Sequence, residues 1–192
     1  MTNQLNNEKI QKADDYEIIG TTSSKISLAK INEIKALTSV QSAGIVSTIF
    51  ISIEASKKIQ EYTEPLFAGS ESLLPLIVFE SSKLLKKYPI LNAYFENDII
   101  RIYNDINIGV AFDIDNGLKV YTIKNTEQLS MSAIEKSISI GIDHYLDKSL
   151  TSDQLTGSTF TITDLSSFGA SAVVPLINFN QSAILGISSI DK

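Results

Sequence analysis

From residue 99 to residue 187, short runs of β-type residues alternate with a long helical pattern, and that alternation restricts the fold more than any other feature. Ile99-Ile100-Arg101-Ile102-Tyr103 and the runs 106–112 and 118–123 are rich in β-branched and aromatic residues, so each reads as a strand. Asp115-Asn116-Gly117 lies between the last two, and an Asn-Gly pair supplies the positive φ angles that a tight hairpin turn requires. The period then changes. Met131, Ile134, Ile138 and Ile142 recur three and four apart, which predicts a helix over 130–146, followed by a short helical turn at Thr151-Ser152-Asp153. Three further strands are predicted at 159–162, 172–177 and 183–187. Upstream, a helix over 70–87 is capped by Ser70 and stopped by Pro89, with Leu73, Leu74, Ile77, Leu84 and Leu85 on one side and its lysines toward water. A helix over 26–37 and a strand over 45–53 precede it, the strand marked by Ile49, Ile51 and Ile53. Strands interrupted by amphipathic helices predict one α/β domain, a two-layer sandwich in which a mixed sheet carries the helices 26–37, 70–87 and 130–146 on one face. Residues 1–15 are polar and without period, so they read as a tail, and the domain runs over 16–192.

Charge and composition exclude several function classes. A formal charge of -6 and a single arginine, Arg101, are opposite to the clustered cations that phosphate backbones need, so nucleic acid is not the expected partner. The start, Met1-Thr2-Asn3-Gln4-Leu5-Asn6-Asn7-Glu8, lacks a cationic and then apolar leader, and no apolar run reaches membrane-spanning length, which makes the cytoplasm the expected compartment. Zero cysteines leave no disulfide, no thiolate metal site and no cysteine nucleophile. At 43% hydrophobic residues and 192 positions the chain has material for one sizeable core.

The segment Gly157-Ser158-Thr159-Phe160-Thr161-Ile162-Thr163-Asp164-Leu165-Ser166-Ser167-Phe168-Gly169, then Pro175-Leu176-Ile177-Asn178 and Ala183-Ile184-Leu185-Gly186, resembles the "GGTFTISNLGSFG … PIIN … AILG" run of the dihydrolipoamide acyltransferases, the core subunits of 2-oxoacid dehydrogenase complexes. Tyr88-Pro89-Ile90-Leu91-Asn92-Ala93 is similar to that family's "hPxLNA". Asp105-Ile106-Asn107-Ile108-Gly109-Val110-Ala111-Phe112-Asp113 with Gly117-Leu118-Lys119-Val120 is similar to its "dIgvAv … GLvvP". The resemblance implies a chloramphenicol acetyltransferase-like fold, a trimer, and acyl transfer between coenzyme A and a dihydrolipoyl or other pantetheine-type thiol, with no covalently bound cofactor. In that family a histidine deprotonates the thiol and a Ser or Thr hydroxyl donates to the oxyanion, and the hydroxyl matches Thr163. Asp164, Ser167 and Phe168, at the end of the same strand and the turn after it, are the implied substrate-binding wall.

The family's base belongs to a D-H-R-x-x-D-G segment that follows this run, and no such segment occurs up to Lys192. Asp143-His144-Tyr145-Leu146-Asp147 does not replace it. His and Asp are three apart rather than four, no Arg follows, and the block precedes Thr163. His144 therefore reads as a helix-surface histidine, and one His beside two acids is not a metal ligand set. Other departures are Tyr121 for the proline of "GLvvP", Ser166 for a glycine of "NLGSFG", and Asn178-Phe179-Asn180-Gln181 for "NPPQ". The resulting expectation is an acyltransferase domain truncated at its C-terminal end and inactive alone. The alternatives are a non-catalytic binding or assembly protein with the same fold, and a subunit completed in trans by a partner that supplies the histidine. A domain cut short there is also expected to leave an open strand edge or an apolar patch near its C-terminus.

Overall fold

A computed structural model describes residues 27, 28, 30–32, 34, 35, 46–52, 73–114 and 117–189. The centre is a four-stranded mixed sheet built from β3 (Ile108–Phe112), β4 (Lys119–Ile123), β5 (Phe160–Asp164) and β6 (Ile184–Ile187), in the order β4-β3-β5-β6. The expected hairpin is the antiparallel β3–β4 pair, with Val110 opposite Tyr121. β5 runs parallel to β3, and β6 parallel to β5, so Val110, Ile162 and Leu185 share one row, as do Ala111, Thr163 and Gly186.

Alternation along the strands sends Ile108, Val110, Phe112, Phe160 and Ile162 to one face, where Tyr121 and Ile123 join them in the core. Two helices supply the other half of that core. Helix α1 (Leu74–Lys87) contributes Leu74, Val78 and Leu85, and α2 (Met131–Leu146) contributes Ile134, Ile138 and Tyr145. Ser130 caps α2, its hydroxyl accepting from the Ala133 amide at 3.2 Å. At the far end of α2, Tyr145 stands edge-on to Phe112 with ring centroids 6.0 Å apart. Its hydroxyl accepts from the Ile114 amide and donates to the Gly117 carbonyl, tying the helix to the β3–β4 connection. Helices α1 and α2 thus lie on one face of the sheet, as the sequence predicts for 70–87 and 130–146, whereas the described residues of 26–37 are exposed apart from the half-buried Ile31 and none joins the core.

Some expectations require correction. Helix α1 begins at Leu74, not at residue 70; Ser70 lies outside the described residues, the N-cap is Leu73, and Pro75 occupies the first turn, where its missing N–H costs nothing. Leu84 faces solvent while Val78 and Ser82 take its place toward the core, because the buried stripe is centred on positions 74, 78, 82 and 85. Residues 46–52 form no strand and are exposed; their β-type composition meets no ladder partner among the described residues. Residues 172–177 also form no strand. Pro175 has no N–H to give to a ladder, and the segment lies across the sheet instead of extending its edge. Within the predicted helix 26–37, residues 28, 30–32, 34 and 35 are helical. The tail 1–15 lies outside the described residues.

One element went unread. β1 (Ala93–Glu96) pairs antiparallel with β2 (Ile99–Ile102) through Asn97-Asp98, both at positive φ, the signature of a type I′ turn. Its base is anchored by Asn92, whose side-chain amide donates to the Asp105 carbonyl at 3.0 Å, and by the Tyr103 hydroxyl, which donates to the Asn180 carbonyl at 2.9 Å.

Candidate functional site

Thr161 and Thr163 alternate with Phe160 and Ile162 in β5, so both threonines project from the face opposite the helices. The segment after β5 covers that face. A Cβ built on Gly186 would stand 3.1 Å from both Pro175 Cδ and Val173 Cγ1, so the absence of a side chain there is what lets 173–175 rest on β6. Beside it a polar cluster closes on Thr161. The Thr161 hydroxyl donates to Gln181 Oε1 at 2.8 Å and accepts from Asn178 Nδ2 at 2.8 Å, while Gln181 Nε2 donates to the Ser158 carbonyl and hydroxyl at 3.0 and 3.1 Å. Thr161 and Gln181 are buried, and their polar groups are matched as burial demands.

Thr163 differs in every respect that matters to chemistry. It is half-buried at the carboxyl end of β5, between Ala111 on β3 and Gly186 on β6, and its hydroxyl meets no partner among the described residues. A strand-end threonine without function usually satisfies its hydroxyl locally. This one keeps its donor available. Asp164 follows, half-buried, and its Oδ1 accepts from the Ser166 amide at 2.9 Å, which starts the tight turn Ser166–Phe168 that ends at Gly169, φ +67. Ser167 is exposed, and Phe168 holds its ring 70% in solvent. The four candidate residues therefore form one strand end and turn, with Thr163 on the face opposite the helices and the Phe168 ring in solvent.

His144 is not part of this group. It lies in the last turn of α2, half-buried, with Gln154 Nε2 at 2.9 Å from its Nδ1. Helix α2 covers the apolar face, so the sheet stands between His144 and Thr163. No cluster of three or more His, Asp or Glu among the described residues could hold a metal ion. No described helix is long and apolar enough to cross a membrane.

The sequence reading missed the hub at Thr161 and its partners Asn178, Gln181 and Ser158. A signal existed: Thr161 shares the period of Thr163 in a strand whose other face is wholly apolar, and two carboxamides three apart follow. It missed equally the apolar cover of Val173 and Pro175. Exposed Phe168, Val174, Leu176 and Phe179 make the apolar surface expected near the C-terminus, and β6 is an edge strand.

A four-stranded mixed sheet with helices on one face and a loop folded over the other defines a two-layer α/β sandwich. Residues 22–192 match the family described as 2-oxoacid dehydrogenases acyltransferase (catalytic domain), and the chain belongs to that family. It is 39% identical over 110 residues to the dihydrolipoyllysine-residue acetyltransferase component of the pyruvate dehydrogenase complex of Acholeplasma laidlawii, covering 56% of this chain and 20% of that protein. Over 108 residues it is also 39% identical to the succinyltransferase component of the 2-oxoglutarate dehydrogenase complex of Haemophilus influenzae, covering 56% of this chain and 26% of that one. The chain thus spans well under half the length of these relatives. In fold it is similar to a probable dihydrolipoamide acetyltransferase of Listeria monocytogenes, with a TM-score of 0.81 at 24% identity over 90% of this chain and 76% of that one. It is similar too to the cubic core of a pyruvate dehydrogenase multienzyme complex, with a TM-score of 0.77 at 24% identity over 92% and 74%.

Proposed function

We propose that this chain is an acyltransferase domain that moves an acyl group between coenzyme A and a dihydrolipoyl or other pantetheine-type thiol. The observation that carries the reading is the contrast within β5: Thr161 is spent on the fold, and Thr163, two residues on and on the same face, is left with a free donor. Attack of a thiolate on a thioester carbonyl places negative charge on one oxygen, and a fixed hydroxyl donor at that point lowers the barrier. Thr163 is the donor; Asp164, Ser167 and Phe168 shape the approach of the thiol, Phe168 by offering an apolar face to the pantetheine arm.

The proton of the attacking thiol needs a base, and a positioned base contributes on the order of 10² to 10⁴-fold. His144, the sole histidine of the 192 residues, is held on the other side of the sheet. The base therefore comes from outside this set, either from a further segment of a longer protein or from a partner subunit, and these residues alone turn over poorly. The exposed apolar residues Phe95, Ile99, Ile100 and Ile102 on the hairpin and Phe168, Val174, Leu176 and Phe179 on the covering loop support assembly with such subunits, in keeping with a homotrimer.

Acetyl coenzyme A titrated into the purified chain and followed by NMR tests the reading. Amide shifts confined to 161–169 and weakened by Thr163→Val and by Phe168→Ala are expected, with acetyl transfer to dihydrolipoamide at background. Absence of binding at millimolar ligand overturns the reading, and robust turnover abolished by His144→Ala overturns the assignment of the base to a further segment or partner subunit.

A further inference from the structure

The connection between α2 and β5 carries a contact that depends on one proton, and it lies apart from Thr163 and from everything the proposed chemistry uses. Thr151 and Gln154 bridge each other in the manner of a capping box at the start of the short helical turn Asp153–Leu155. The Gln154 amide donates to the Thr151 hydroxyl at 3.4 Å, while Gln154 Oε1 accepts from the Thr151 amide at 3.0 Å and from its hydroxyl at 3.2 Å. A backbone N–H only donates, so the side of the Gln154 carboxamide that faces Thr151 is its oxygen. The NH2 group then faces His144 Nδ1, 2.9 Å away, and only an unprotonated Nδ1 accepts from it. The ring is thereby held as the neutral tautomer with its proton on Nε2.

We infer that His144 and Gln154 form an acid-released clasp, closed while the imidazole is neutral and opened when Nδ1 takes a proton. A protonated Nδ1 sets N–H against N–H. Gln154 must then leave the ring, or turn its oxygen to it and abandon Thr151, so the turn keeps its bridge or its hold on α2 and not both. The charged side chains around the clasp are Asp143, Asp147 and Lys148 at the end of α2, Asp153 in the turn, and Lys124 after β4, all exposed, with Asp153 paired to Lys124. Lys119 lies at the start of β4, Glu80 of α1 is paired to Lys83, and β3 carries no charge. Among the described residues no carboxylate makes an ion pair with the ring, so none takes the place of Gln154.

The release is bounded on both sides. The Ser149 amide donates to the His144 carbonyl at 2.9 Å and Leu150 packs against the core, while Asn107 Nδ2 holds the Gly157 carbonyl at 3.0 Å. Order is therefore lost over 151–156 and no further.

The full chain, isotopically labelled, is followed by NMR between about pH 8 and about pH 5, the interval in which a histidine side chain changes charge. At the alkaline end Nδ1 should carry no proton. As the ring titrates, the heteronuclear NOE of the 152–156 amides should fall, and the Thr151 and Gln154 amide shifts should follow the same midpoint. Gln154→Glu supplies an acceptor for a protonated Nδ1 while its second oxygen serves Thr151, so that variant should stay ordered in acid. His144→Ala should give one NOE level across the series, that of the parent in acid. A proton on Nδ1 at the alkaline end, order over 152–156 that ignores pH, an acid loss that persists in His144→Ala, or the parent's acid loss in Gln154→Glu overturns the clasp.

Discussion

Thr161→Val and Thr163→Val are the same chemical change made twice, two residues apart, on one face of one strand, and the structure assigns them opposite outcomes. At Thr161 the substitution keeps the side-chain shape but deletes a hydroxyl that serves two partners. Gln181, 7% exposed, loses the donor to its Oε1, and Asn178 loses the acceptor of its Nδ2. A buried polar atom stripped of its partner costs about 1 to 3 kcal/mol; Asn178 is half-buried and turns partly to water, which holds the total near 2 to 3 kcal/mol. For a chain of this size that is a fall in Tm of about 4 to 12 °C. At Thr163 no hydrogen bond is lost, so stability should stay within about 0.5 kcal/mol of the parent. Thermal and guanidinium unfolding of the two variants, followed by far-UV circular dichroism, measures both. Equal destabilisation would mean that the Thr163 hydroxyl is engaged in the fold, and the argument for it as a free oxyanion donor would collapse.

Gly141 in α2 lies against the Tyr121 ring, where a Cβ would come within 2.7 Å of Cδ1; Gly141→Ala should therefore lose about 1 to 2 kcal/mol, overpacking outweighing the gain in helix propensity, and denaturant midpoints will show the sign. Burial, and secondarily the neighbouring Tyr94, holds the Tyr103 phenol above its usual 10.0. The folded state thus keeps a proton that the unfolded chain releases, so stability present below pH 10 should fall as pH rises through the higher folded value. Tyr103→Phe should remove that part of the alkaline loss in a pH series of denaturation curves. His144→Ala should leave coenzyme A binding and amide shifts at 161–169 unchanged, since it frees only Gln154 on the far side of the sheet.

Most of the architecture was readable because its signals are local. The period of Ile134 and Ile138 and the closeness of the β3 and β4 runs in the chain are short-range signals, and the helix and the antiparallel pair appear where the sequence places them. What escaped depends on contacts that no local pattern encodes. Residues 172–177 look like a strand by composition, yet Pro175 and the vacancy at Gly186 turn them into a cover. Residues 46–52 carry β-type side chains without a ladder to join. Of the site, the position of Thr163 was accessible through motif resemblance, but the idle state of its hydroxyl was not. That follows from Asn178 and Gln181 choosing Thr161, a decision made by three-dimensional packing.

The parallel contact between β3 and β5 has a kinetic consequence. Asn107 and Thr159, whose hydrogen bonds open that ladder, are 52 residues apart in the chain. β4 follows β3 closely in the chain and can dock at once, but the other margin of β3 must wait until α2 has been threaded between. During that interval Ile108, Val110 and Phe112 stand beside an unfilled ladder edge. Non-local pairing of this type is slow and exposes adhesive surface while it proceeds. Refolding should accordingly be limited by arrival of β5, with yields that fall as protein concentration rises and recover when β5 and β6 are allowed to close before chains meet.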